Sequence, residues 1–111
     1  MSDEPVLRCR VADRGPDDLT LLLTGALTRD TASERVERDI EQHYVDEGVL
    51  RVHLDLHDLE AIDLEGIAVL LHLFRASQRR GKVMTVERSE GTVRRRLLTT
   101  GVLRIMEPPA A

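Results

Sequence analysis

The chain has 111 residues, 32% of them charged, with a formal net charge of −4. Acidic and basic residues are mixed along it, so no bulk field favours nucleic acid or an anionic membrane surface. No apolar run approaches the roughly 18 residues of a membrane span.

The length suits one domain over residues 1–111, with a core from about 6 to 107 and a tail at 108–111. One Phe, one Tyr and no Trp make that core aliphatic. Cys9 is the single cysteine, so no intramolecular disulfide is possible. That fits a reducing compartment. The first ten residues are acidic and lack the apolar core of a signal peptide. A cytoplasmic location is the expectation.

Val6 to Val11 reads as a weak first strand with Val6 and Val11 inward. Asp13-Arg14-Gly15-Pro16-Asp17-Asp18 is a turn by its Gly, Pro and Asp content. Leu19 to Leu23 is a short apolar strand closed by Thr24-Gly25, and the short link predicts an antiparallel hairpin. Thr31-Ala32-Ser33-Glu34 matches the capping-box pattern, with a Ser or Thr three residues before a Glu. Val36, Ile40 and Tyr44 follow at intervals of four, so an amphipathic helix is expected from about Thr31 to Asp46, ended by Gly48.

The centre of the chain is Val49 to Arg80. Leu50, Val52, Leu54 and Leu56 alternate with Arg51, His53 and Asp55, the period of a strand. Without Pro or Gly it has no feature of an edge strand. An acidic loop leads to Asp63, placed to cap the next helix, with Glu65 in the first turn where a negative charge meets the positive end of the dipole. From Ile67 the helix is apolar nearly all round, hence buried on more than one side. Ile67, Leu70, Leu71 and Phe74 form its main face, widened by Ala68, Val69 and Leu73. Arg75 to Arg80 return it to water, and Gly81 stops it.

Val83 to Val86 is a further strand. Ser89 caps a third helix with Val93, Leu97 and Leu98 inward and Gly101 as its stop. Val102 to Met106 is a final strand, and Pro108 to Ala111 a frayed tail. The order is ββαβαβα(β). It predicts an α/β fold with a mixed, mostly parallel sheet of about five strands and helices packed on it.

Little in this pattern points to catalysis. The four histidines lack metal-ligand spacing. Asp55, Asp58, Glu60, Asp63 and Glu65 crowd one end of the sheet, where a carboxylate pair or Mg²⁺ is conceivable. No nucleophile elbow, P-loop or dinucleotide fingerprint accompanies them. The simpler reading is a polar loop and a cap. Arg94-Arg95-Arg96 is a possible phosphate grip, but without interleaved aromatics it reads as a solvated helix face. No cofactor is expected.

Three stretches together resemble the STAS domain family, as in bacterial anti-sigma-factor antagonists. The first is VHLDLHDLEAIDLEG, similar to a strand ending in Asp and a loop ending in Asp-x-Ser/Thr-Gly. The second is IAVLLHLFRASQRRG running into KVMTV. The third is VRRRLLTTGVLRIM, similar to a helix ending Leu-x-x-x-Gly-Leu. The resemblance covers about Leu19 to Glu107.

It implies a STAS-like fold and a non-enzymatic regulator of transcription that binds a protein, in the family a serine-kinase-type anti-sigma factor. Docking through the loop and helix start is what the family implies. Here that is Thr28, Arg29 and Asp30 together with Asp63, Leu64, Glu65, Gly66 and Ile67. Phosphorylation of the Ser or Thr before the Gly releases such domains, since a phosphate adds about −1.5 to −2 charges at the docking surface. Here that position is Glu65, so the usual switch is lost. Thr28 stands where the family often has Asp, and the chain leaves no room for a further C-terminal helix that many members carry. The alternative reading is a small STAS subunit of a transport or multi-protein signalling complex. No nucleic acid and no direct membrane insertion are expected, and oligomeric state is left open.

Overall fold

The computed structural model describes residues 6–107. The tail expected at Pro108–Ala111 and the first five residues lie outside them. The elements are β1 (Leu7–Arg14), β2 (Asp18–Leu27), α1 (Glu34–Glu41), β3 (Arg51–Asp55), β4 (Leu59–Ile62), α2 (Leu64–Arg79), β5 (Val83–Glu87), α3 (Gly91–Thr99) and α4 (Val102–Met106). The α/β class and the mixed, mostly parallel five-stranded sheet agree with the pattern of the sequence. No helix among the described residues is long and apolar enough to cross a membrane.

The sheet is built around β2. On one side β1 pairs with it antiparallel, from Leu7↔Gly25 to Arg14↔Leu19, with an irregularity between Val11 and Asp13. On the other side β2 is longer than either partner. β3 pairs parallel along Asp18–Leu22, then stops at Asp55. β4 takes over along Gly25–Leu27. A buried strand cannot leave its ladder groups unpaired, and β4 meets that demand. β5 pairs parallel with β3 on the outside.

Alternation decides the two faces. Leu19, Leu21 and Leu23 of β2, Val52 and Leu54 of β3, and Met84 and Val86 of β5 join one buried cluster with residues of all four helices. The opposite parity carries Thr20, His53 and Thr85 in register. None of these belongs to the core cluster.

Several expectations need correction. Val102–Met106 is helix, not strand. Val102, Leu103 and Met106 are buried while Arg104 and Ile105 are exposed. A strand would instead put Arg104 on the same face as Val102 and Met106. Leu59–Ile62 is a strand although its four residues gave no usable alternation. The cap of α1 is Ser33, whose hydroxyl accepts from Val36 N–H at 3.2 Å. Thr31 is committed elsewhere, as shown below. The helix ends at Glu41, and two tighter turns, His43 N–H to Ile40 C=O and Tyr44 N–H to Glu41 C=O, carry Tyr44 into the core.

Helix α3 is preceded by Glu90, which makes no side-chain cap, rather than capped by Ser89. Leu98 is 56% exposed, because the i, i+4 pair Val93 and Leu97 already fills the inward stripe. In β1 the half-buried residues are Leu7 and Cys9, whereas Val6 and Val11 face solvent. Leu50 precedes β3 and is exposed. The deepest side of α2 runs through Ile67, Leu70, Leu73 and Ser77, with Val69 also buried. Leu71 and Phe74 are only half-buried, on the flank of that stripe.

Candidate protein-docking site

β2 and β4 run parallel and end side by side, at Leu27 and Ile62. Beyond the carboxyl ends of parallel strands, loops diverge and leave room for recognition. Two loops leave here, Thr28–Thr31 and the turn into α2 at Asp63.

The first loop is self-braced. Thr31 Oγ1 accepts from Thr28 N–H at 3.0 Å and donates to the Ala26 carbonyl at 2.8 Å. Thr31 and Ala32 N–H both donate to the Thr28 carbonyl. The threonine of the expected capping box is therefore the brace of this loop.

Asp63 ties the second loop to the first. Its Oδ1 accepts from Gly66 N–H at 3.0 Å, the N-cap bond of α2. Its Oδ2 accepts from Arg29 N–H at 2.8 Å, 34 positions away. Its own N–H reaches the Leu27 carbonyl at 3.4 Å. Burial pushes the Asp63 carboxyl up. The backbone N–H groups of Arg29, Gly66 and Glu65, with the charge of Arg96, overcome this and hold it below the usual carboxylate range.

Gly66 sets how closely the helix start approaches the sheet. A Cβ there would meet the Leu27 carbonyl oxygen at 1.9 Å and Ile62 Cγ1 at 2.8 Å. No side chain larger than hydrogen fits without moving α2.

The eight candidate residues thus separate by role. Arg29, Asp30, Leu64 and Glu65 are exposed, with Leu64 69% exposed despite its size. Thr28 and Asp63 are half-buried and hold the loops. Gly66 and Ile67 are buried, so they shape the surface from beneath. Glu65 makes no ion pair among the described residues.

The acidic residues do not act as a group. Asp55 is buried and accepts from His57 N–H at 3.0 Å and from Arg88 at 3.3 Å. Asp58 pairs with His57 at 3.0 Å, and Glu60 faces solvent. The histidines are scattered too. His53 contacts Glu87 at 3.0 Å and Thr85 at 3.1 Å, while His72 contacts Glu37 at 3.2 Å.

Sequence reading missed the other wall of the site. Helix α3 brings Thr92, Arg95, Arg96, Thr99 and Thr100 beside Asp63, Leu64 and Ile67, and the groove between them encloses about 390 Å³. The arginine run is divided by the helix. Arg94 turns away and pairs with Glu107 at 2.8 Å, while Arg95 and Arg96 line the groove. The signal was present: 92, 95, 96 and 99 follow the i, i+3, i+4, i+7 spacing of one helical face.

The sequence profile of the STAS domain matches residues 11–110. The chain belongs to the STAS domain family. No curated protein matches it. Solved structures share its fold at low identity. The anti-sigma factor antagonist SpoIIAA, in its unphosphorylated form, is 14% identical at a TM-score of 0.63, covering 94% of this chain and 90% of that one. An anti-sigma factor antagonist from Mycobacterium paratuberculosis is 17% identical at a TM-score of 0.70, covering 94% and 87%. The murine anion transporter Slc26a9 is 15% identical at a TM-score of 0.70. That match covers 91% of this chain but 19% of the transporter, so the likeness is to one segment of a larger protein.

Proposed function

We propose that this STAS domain is a non-enzymatic regulatory module that docks a protein partner, of the anti-sigma-factor class, through Thr28–Asp30 and Asp63–Ile67. The supporting observation is the Asp63 carboxylate, bonded at once to Arg29 N–H and Gly66 N–H. It fixes two loops into one surface and leaves Arg29, Asp30, Leu64 and Glu65 outward. A surface ordered before binding avoids the entropy of ordering it on contact.

Glu65 gives this surface a permanent charge. A phosphorylated hydroxyl at the same place would carry about −1.5 to −2; Glu65 carries one negative charge and cannot be reset. The module therefore lacks the Ser/Thr switch at this position.

The test is affinity capture from native lysate with wild type, Glu65→Ser and Glu65→Ala, read by quantitative mass spectrometry. A kinase-type anti-sigma factor whose retention changes in either variant is the expected result. Equal retention by all three would remove the loop from the account. The anion-transporter likeness at a TM-score of 0.70 favours a second reading, a subunit of a transport assembly. Retention of membrane transport components in place of an anti-sigma factor would select it.

A further inference from the structure

We propose that the groove between α2 and α3 is the specificity half of the docking surface, and that it takes an acidic segment of a protein partner carrying an apolar side chain. The inference rests on the docking reading above and adds the chemistry of the partner to it.

The floor and lip of the groove are apolar. Ile67 is buried beneath it and Leu64 stands at its edge with 69% of its surface exposed. An isolated leucine so placed gains by being covered, at roughly 25 cal/mol for each Å² of apolar surface removed from water. The opposite wall carries Arg95 and Arg96, both exposed and neither in an ion pair among the described residues. Their neighbour Arg94 is satisfied by Glu107. The cations on the groove wall are thus Arg95 and Arg96, the second also acting on the Asp63 carboxylate, across from an apolar edge.

The threonines and Asp63 favour a peptide over a small oxyanion. Thr99 Oγ1 donates to the Arg95 carbonyl at 2.8 Å, and Thr100 Oγ1 donates to the Arg96 carbonyl at 2.7 Å. Two of the three threonine hydroxyls lining the groove are thus committed, which leaves Thr92 as its single uncommitted hydroxyl among the described residues. A phosphate cage needs converging donors, and Asp63, with its charge, lines the same space. Carboxylates on a partner segment can instead reach Arg95 and Arg96 at the rim while an apolar side chain covers Leu64 and Ile67. Complementary charge of this kind sets partner choice and association rate. Glu65, at the start of α2, favours a partner whose acidic residues lie on the α3 side alone.

The experiment is an NMR titration of the isotope-labelled full chain. The probe is a synthetic amphipathic peptide with leucines on one helical face flanked by glutamates. The same peptide with lysines for glutamates and inorganic phosphate are the comparison arms. Expected are saturable shifts at Leu64, Ile67, Thr92, Arg95, Arg96 and Thr99 with the acidic peptide only. Arg95→Glu/Arg96→Glu should weaken binding roughly tenfold, as two exposed ion pairs imply. Both substitutions are on a solvent-facing wall, so retention of the wild-type spectrum elsewhere checks the fold. Equal shifts by acidic and basic peptides, saturation by phosphate alone, or unchanged affinity in the double variant would overturn the proposal. Because the probe reads α3 directly, its failure leaves the Glu65 capture result standing, and the reverse also holds.

Discussion

Asp63 and Lys82 hold opposite ends of the parallel part of the same sheet. Asp63 lies past the ends of β2 and β4 and accepts from the backbone N–H groups of Arg29 and Gly66. Lys82, the only lysine of the chain, lies before β5 and donates to the carbonyls of Asp46 at 2.7 Å and Val49 at 2.6 Å. Each is a single charge that ties distant backbone together. Their surroundings differ. Lys82 is 6% exposed, with its ammonium group held by those two carbonyls. Asp63 is half-exposed, with Leu64, Glu65, Arg29 and Asp30 turned outward around it. The same device is buried at one end of the sheet and half-exposed among outward side chains at the other.

Substitutions can break this contrast at different depths. The largest loss is expected at the Asp63 end, from Gly66→Ala. The new methyl group would meet the Leu27 carbonyl at 1.9 Å. Since the obstacle is backbone, the helix must move, and a loss of about 3 kcal/mol is expected in urea unfolding. A loss below about 1 kcal/mol would mean that the start of α2 is free to shift and is no fixed platform.

At the Lys82 end, Lys82→Met keeps the stem and removes the ammonium group. It should cost about 2 kcal/mol, the scale of hydrogen bonds to a charged group. It should leave partner capture unchanged. Loss of capture with stability intact would contradict the division of the two ends.

Asp63→Ala should cost about 1 kcal/mol, as the loss of a helix cap does. The pH dependence sharpens the result. The folded carboxyl is held below its usual range, so near that range the unfolded chain binds more protons and stability rises with pH. This contribution is complete above the unfolded value near ~4 and is lost as pH falls through the folded one. Asp63→Asn should therefore flatten the acid limb of the stability profile relative to wild type. An unchanged acid limb would show that the carboxylate charge does nothing in the clip.

The Asp63 end was more legible in sequence than the Lys82 end. Asp63 before an apolar helix is a local signal, and the cap formed as expected. The long-range bond to Arg29 has no local signal, because its partner is 34 positions away. Lys82 follows a helix, and nothing near it in sequence marks the two carbonyls it serves. Strand β4 is another long-range effect: it is four residues long and forms where β2 outruns β3. Helix α4 was misread because five apolar-rich residues fit either period, and only the burial of Leu103 beside Val102 separates them. The arginine pair of the groove was passed over because a run of three like residues hides which of them share a face.

The most direct test of the account is native-state hydrogen exchange in wild type and Asp63→Ala, followed at the amides of Arg29 and Gly66. The account predicts that both lose protection together, because one carboxylate holds both loops. Loss at Gly66 with Arg29 unchanged would contradict it, leaving Asp63 as a helix cap and the two loops as separate surfaces.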